Sequence, residues 1–230
     1  MATFHFKNQE NLSLRQRVMS DIRNAIIQGH LKPGDKLREL DISQQMAISR
    51  GPIREALRDL EALGLVVSSP YRETTVADVS KGEVVDLLIP IRLQLEIYAL
   101  KQIQSNWNDA MYQSLRDIVN SMKEAADNGD LVSLVEADIR FHESIVSSED
   151  SPYTQQIWSG IVNRLRLHFI KNTKLFVDLA RVPAEHEELL QALQNEPFER
   201  VKELWTQHIL QDDCLLCFHD GPSTNDDTIK

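Results

Sequence analysis

Apolar residues recur at three- and four-residue steps from Ser13 to Gln28, where Leu14, Val18, Ile22, Ala25 and Ile26 form one stripe of an amphipathic helix. Gly29 ends the pattern, and Leu31-Lys32-Pro33-Gly34-Asp35 reads as a turn. A short helix carrying Leu40, Ile42 and Met46 follows. Ser49 is the expected N-cap of a third helix, which runs through Ile53, Ala56, Leu57 and Leu60 to Leu63, and Gly64 is placed to stop it. Two short β-branched runs, Leu65 to Val67 and Thr74 to Val76, flank Ser68-Ser69-Pro70-Tyr71-Arg72-Glu73 and predict a small hairpin.

Beyond Val76 the period is helical throughout. Ser80 and Glu83 have capping-box spacing ahead of a long apolar helix reaching about Gln104, and a second helix covers Asp109 to about Asn128. Asn128-Gly129-Asp130 breaks the chain. A third helix spans Leu131 to Ser147, Ser151-Pro152 opens a fourth that continues to about Asn172, and two more follow Pro183 and Pro197. The prediction is a mainly α protein with three parts. Residues 1–78 hold helix, helix, turn, helix and hairpin, residues 79–220 hold only helices, and 221–230 are a polar tail expected to be disordered.

Composition narrows the function. The chain has 230 residues, 42% of them hydrophobic, which fits a globular protein of one or two domains. No apolar run approaches the roughly 20 residues that span a bilayer, and the first ten residues lack a signal-peptide pattern, so a cytoplasmic protein without a membrane partner is expected. Cys214 and Cys217 form a lone CxxC inside a helical pattern, which excludes a disulfide framework and leaves their role open. The net charge of -10 argues against a nucleic-acid partner until it is divided along the chain. Residues 1–78 carry 11 basic and 10 acidic side chains, net +1, and the rest carries -11. The N-terminal part can therefore approach a polyanion.

Helix, helix, turn, helix, hairpin is the order of a winged helix-turn-helix, whose second motif helix lies in the major groove. Arg50, Arg54 and Arg58 fall at four-residue steps and share one face of the third helix, while Ile53, Leu57 and Leu60 point elsewhere. Guanidinium forks suit phosphates and guanine edges, and Arg50 and Arg54 lie nearest the helix N-terminus, the end that reaches bases. The alternative is a solvated face in which Glu55, Asp59 and Glu61 pair with these arginines.

Three successive motifs carry a resemblance: Leu31-Lys32-Pro33-Gly34-Asp35-Lys36-Leu37, Ser49-Arg50-Gly51-Pro52-Ile53-Arg54-Glu55-Ala56-Leu57, and Leu60-Glu61-Ala62-Leu63-Gly64-Leu65-Val66. They resemble the DNA-binding domain of the GntR family. The resemblance implies double-stranded operator DNA as partner. Arg50 and Arg54 would contact it, with Ser49, Gly51 and Arg58 beside them in the motif and Arg72 on the wing. Leu40 and Glu73 depart from the family's pattern, which has polar or basic residues and glycine there.

The C-terminal helices carry polar residues where apolar ones are expected. Leu131, Leu134, Val135, Asp138, Phe141, His142 and Ile145 follow the three-four step, so Asp138 and His142 converge on a buried stripe. His186 shares a stripe with Leu189, Leu190 and Leu193, and His208 shares one with Val201, Leu204 and Trp205. Buried without partners, these four would cost several kcal/mol, roughly, and one divalent cation satisfies them all. One Asp and three His suit zinc, nickel, iron or manganese. Read singly, each histidine is an ordinary core residue and the Asp/His pair a plain hydrogen bond. The same cluster would also serve a metal sensor, or a metal-dependent hydrolase, although no further carboxylate stands at a spacing that marks a general base.

Asp138-Ile139-Arg140-Phe141-His142, Glu185-His186-Glu187-Glu188-Leu189 and His208 resemble the metal motifs of the FCD domain found in the FadR-type GntR subfamily. That resemblance implies an antiparallel helical bundle, a homodimer and a small organic acid bound over the metal, in a regulator that is more often a repressor than an activator. Arg92 matches an arginine near the effector pocket in such domains, and a salt bridge to Glu96 on the next turn is its alternative role. The nearly continuous apolar run from Val84 to Leu100 exceeds one core-facing stripe and offers a subunit interface.

Overall fold

The computed structural model describes residues 13–68, 73–149, 151–172 and 178–211. Two compact units emerge: residues up to Asp78 together with Ser159–Leu167, and Val79–Trp158 together with the chain from His168 onward. The stretch Ser159–Leu167 belongs to a helix of the C-terminal sequence, and nothing in the linear pattern marks its grouping with the first unit.

The first unit begins with α1 (Leu14–Ile27), closed at its N-terminus by a capping box between Ser13 and Gln16. Val18, Ile22, Ile26 and Ile27 are buried, while Leu14, in the first turn, stays exposed. α2 (Glu39–Met46) buries no residue completely, and Leu40 is exposed rather than a core position. Between α2 and α3 (Arg50–Ala62) the chain turns at Ala47, whose φ of 53° lies in the left-handed region at a cost of roughly 1 kcal/mol. Ile53, Ala56, Leu57 and Leu60 anchor α3, the larger ones worth about 1.5–3 kcal/mol each when buried. Gly64, at φ +71°, ends it in a Schellman turn: the Leu65 amide donates to the Leu60 carbonyl and the Gly64 amide to that of Glu61, each at 2.9 Å.

The hairpin is short. β1 (Val66–Val67) pairs antiparallel with β2 (Thr75–Val76), Val66 opposite Val76. The segment read as a turn lies along the other edge of β2: the Leu37 amide donates to the Thr74 carbonyl at 2.8 Å, the Val76 amide to Asp35, and Lys36 bridges Thr75. A three-residue ladder is too short to carry a period-two signal, so the sequence showed only Pro33-Gly34.

The second unit is a helical bundle. Ser80 accepts from the Glu83 amide at 3.2 Å, and a π-helical turn, Glu83–Leu88, leads into α4 (Ile89–Ile103). α5 (Asp109–Asp127) packs on α6 (Leu131–Ser148) and on α8 (Arg181–Asn195), while α4 packs on α6 and on α9 (Phe198–Gln211). α7 is Pro152–Asn172. α8 starts at Arg181, two residues before the proline expected to precede it, because a first-turn proline gives up only an amide that has no helical partner. Met122, Leu134, Phe141, Ile145, Leu100 and Trp205 form the core, each with under 2% of its surface exposed. The tail, Cys214, Cys217 and Arg72 lie outside the described residues.

Candidate metal centre and nucleic-acid interface

α3 turns its apolar side inward and leaves Arg50, Arg54 and Arg58 exposed, as the four-residue spacing requires. Ser49 caps the helix by backbone position alone, at an extended φ of -68° and ψ of 158° and without a side-chain cap bond, so its hydroxyl is not used by the cap. A side chain at Gly51 would meet nothing within 4 Å, which leaves the approach to the helix N-terminus open. Glu39, on α2, is the partner of both leading arginines: Arg50 at 2.8 Å and Arg54 at 3.1 Å. Arg58 pairs with Glu55 at 2.9 Å, and Arg15 with Asp59. Glu73, the departure at the wing, pairs with Lys36 at 2.8 Å and Arg38 at 2.6 Å. Reading by helix spacing named Glu55 and Asp59 but missed Glu39, which is 11 residues from Arg50.

In the second unit α6 presents Asp138 and His142, α8 presents His186 and α9 presents His208, and their ligand atoms lie within 4.8 Å of one another. His142 Nε2 is 3.3 Å from Nε2 of both His186 and His208, and His186 Nε2 is 3.1 Å from Asp138 Oδ1. His142 and His186 are wholly buried, while His208 keeps 6% and Asp138 14% of its side-chain surface exposed. Two of the three imidazoles are turned by an acceptor at the other nitrogen. His142 Nδ1 meets Glu96 Oε2 at 2.6 Å and His186 Nδ1 meets the Val182 carbonyl at 2.8 Å. His208 Nδ1 lies 3.4 Å from Glu185 Oε2, close but without hydrogen-bond alignment.

Spacing named Glu96 only as a partner of Arg92 and missed its place behind His142. Fully buried on α4, it accepts from Arg92 Nε at 2.8 Å, from His142 and from Trp205 Nε1 at 2.6 Å. A charged residue on the stripe Leu88, Arg92, Leu95, Glu96, Ala99 was the available signal, of the same kind that marked Asp138. Burial opposes its charge, yet the facing charges of His142 and Arg92 and the bonds from His142 and Trp205 hold its carboxyl at about 2. Of those charges the arginine's persists at neutral pH, since burial drives His142 down to about 4 against the pull of Glu96. His142 is then a neutral ring with Nδ1–H on Glu96 and the Nε2 lone pair facing the cluster. Burial likewise lowers His208. At His186 burial is outweighed by the hydrogen bond and charge of Asp138, and its pKa is raised.

Arg92 is buried in its ion pair with Glu96, and its guanidinium stands 5.9 Å from the centre of the Phe169 ring. Phe169 lines a small cavity with Leu134, Val135, Asp138, Val182, Glu185, His186 and His208. A larger cavity, about 140 Å³, shares Glu185 and His208 and adds Arg181, Glu188, Leu189, Leu204 and Gln207. Arg92 is not among the residues lining either.

The donor set fits a divalent cation. Zinc–nitrogen bonds of about 2.0–2.1 Å place tetrahedral ligands roughly 3.3 Å apart, and such sites combine imidazoles with a carboxylate and an acceptor behind each imidazole. Three Nε2 lone pairs and a carboxylate oxygen brought this close, away from water, repel one another unless a cation or protons lie between them.

A winged helix-turn-helix joined in one chain to a helical bundle defines a class of transcriptional regulator. Residues 14–76 match the family described as bacterial regulatory proteins, gntR family, and residues 87–211 match the FCD domain. The chain belongs to this family of FCD-domain GntR regulators. It is 32% identical over 151 residues, 64% of this chain and 66% of the relative, to the "Probable D-xylose utilization operon transcriptional repressor" of Paenarthrobacter nicotinovorans. It is 24% identical over 182 residues to the gluconate operon transcriptional repressor of Bacillus subtilis, covering 77% of this chain and 74% of that one. The solved structure of Escherichia coli McbR shares the fold, with a TM-score of 0.74 over 90% of this chain and 98% of that one at 22% identity. No helix among the described residues is long and apolar enough to cross a membrane.

Proposed function

We propose that this protein is a cytoplasmic, homodimeric transcriptional repressor that binds a palindromic operator through its winged helix-turn-helix and is controlled by a small carboxylate bound beside a divalent cation. The observation that carries the control site is the convergence of three Nε2 atoms and one carboxylate oxygen, with acceptors set behind the rings of His142 and His186. Asp138, His142, His186 and His208 would hold zinc, nickel, iron or manganese, whose chemistry there is that of a fixed positive charge. Two of the relatives are named as repressors, one of them of the gluconate operon, which supports a sugar-acid or similar carboxylate as the effector class.

On the DNA side, Arg50 and Arg54 reach base edges, while Ser49, Gly51 and Arg58 stand at the same groove and Arg72 adds a wing contact. Exposed Val85, Leu87 and Tyr98 favour a second copy of the chain on the helix that begins at the π-helical turn. Glu185 and His208, shared by both cavities, favour an effector position beside the cation. Arg92, 5.9 Å from the Phe169 ring that lines the smaller cavity, would bear on the carboxylate through the dipole of its ion pair with Glu96. The effector shifts operator binding by its differential affinity for DNA-competent and incompetent arrangements.

Two measurements test this reading. Selection of duplexes from a random library should recover a palindrome with two half-sites. Elemental analysis should find about one divalent cation per chain, less in His186→Ala. No cation in the wild type, or equal content in both proteins, would remove the metal, and failure to enrich any duplex would remove the operator.

A further inference from the structure

A single carboxylate spans the two leading arginines of α3. One oxygen of Glu39, the first residue of α2, accepts from Arg50 Nε and Nη2 at 3.0 and 2.8 Å and from Arg54 Nη2 at 3.2 Å, and the other accepts from Arg54 Nε at 3.1 Å. The carboxylate lies under the guanidinium groups: its side chain is 23% exposed and theirs are 57% and 52%. The hydrogen bond from Arg54 leads in holding Glu39 ionised below the usual carboxylate range. Two forks on two oxygens is the arrangement a DNA phosphate would offer. Among the described residues, the exposed Arg15, Lys36, Arg38 and Arg58 also pair with acids, Asp59, Glu73 and Glu55.

We propose that Glu39 is a specificity-determining residue, an internal stand-in for phosphate that holds Arg50 and Arg54 back from random-sequence DNA and leaves them available to base edges. The inference rests on the reading of those arginines as operator contacts. A phosphate on any duplex offers each guanidinium only what Glu39 already supplies, and the Glu39 charge itself repels the polyanion. Guanine O6 and N7 accept from an arginine without bringing a competing negative charge, so a base contact does not require the carboxylate to let go. Glu39 therefore lowers random-sequence affinity more than operator affinity, and the difference is selectivity.

The test uses the full chain as wild type, Glu39→Gln and the double variant Glu39→Gln/Arg50→Ala. Anisotropy titrations across a salt series compare a short random-sequence duplex with a duplex selected from a random library by the wild type. Each arginine released to a phosphate should raise random-duplex affinity about eightfold at about 0.1 M salt and steepen the log–log salt slope by about 0.9. The preference for the selected duplex should fall by a similar factor, and the double variant should lose about eightfold, half of the logarithmic gain that Glu39→Gln makes alone. A loss of structure at position 39 would not steepen the slope, and Glu39→Ala gives the same comparison should the glutamine variant fail to fold. Unchanged random-duplex affinity and slope, or an equal gain on both duplexes, overturns the inference. If the wild type selects no duplex, the operator reading fails first and this inference with it.

Discussion

Glutamine at position 96 keeps the shape of the side chain and removes its charge. The buried carboxylate serves three donors: Arg92 Nε, His142 Nδ1 and Trp205 Nε1, all at 2.6–2.8 Å. An amide offers one oxygen, so if it serves His142 and Trp205, its NH2 faces the Arg92 guanidinium, and if it serves Arg92, His142 loses its acceptor. Removing one partner of a buried ion pair costs about 3–5 kcal/mol, and the retained oxygen should keep the loss near the lower end, about 3 kcal/mol. Urea denaturation of the metal-free protein at pH 7 reads that loss. A metal titration reads the second effect, because an imidazole without its oriented Nδ1–H partner binds metal about 10- to 100-fold more weakly. Arg92→Met added to Glu96→Gln should restore most of the stability by removing the orphaned cation, yet leave metal affinity low. A stability loss under about 1 kcal/mol together with unchanged metal affinity would refute the role given to Glu96.

Arg50→Ala and Arg54→Ala should each weaken binding to the selected operator by about 1–3 kcal/mol with the melting curve unchanged, and equal affinity and salt slope in either would remove that arginine from the interface. The metal-free protein should lose stability on acidification. His142 at about 4 and the lowered His208 bind protons less readily folded than unfolded, so their contribution is complete above about pH 6.5 and falls as pH drops below it, for His142 down to about 4 and at up to about 1.4 kcal/mol per unit. His186, raised, acts in the opposite sense, its contribution present below about pH 6.5 and lost as pH rises through its folded value. Denaturation midpoints that stay flat from about pH 6.5 to about 4.5 would contradict this assignment.

What the sequence disclosed was local along each helix. Ile53, Leu57 and Leu60 marked the buried side of α3 and thereby the exposed face of Arg50, Arg54 and Arg58, and Asp138 with His142 could be paired because four residues make one turn. What it withheld lies between elements. Glu96 meets His142 across 46 residues and Trp205 across 109, and no period links them. Glu39 reaches α3 only because Ala47 bends the chain between two helices, and a non-glycine residue at positive φ leaves no sign in composition. The four metal-centre candidates were found on three separate stripes, but only the packing of the helices brings His142 Nε2 to 3.3 Å from Nε2 of His186 and of His208. Arg92 shows the reverse: the helical salt bridge kept as its alternative is present, and that buried pair reaches the cluster through the bond from His142 to Glu96.

Control of operator binding by a carboxylate at the cation is the centre of the account, and one paired titration tests it. Operator affinity is measured with and without saturating small carboxylates, sugar acids among them, on metal-loaded and metal-free protein under identical salt. The account predicts a shift of roughly five- to 150-fold, the span of typical coupling energies, with the metal-loaded protein alone. The same shift in the metal-free protein, or no shift with any carboxylate in either form, would contradict it.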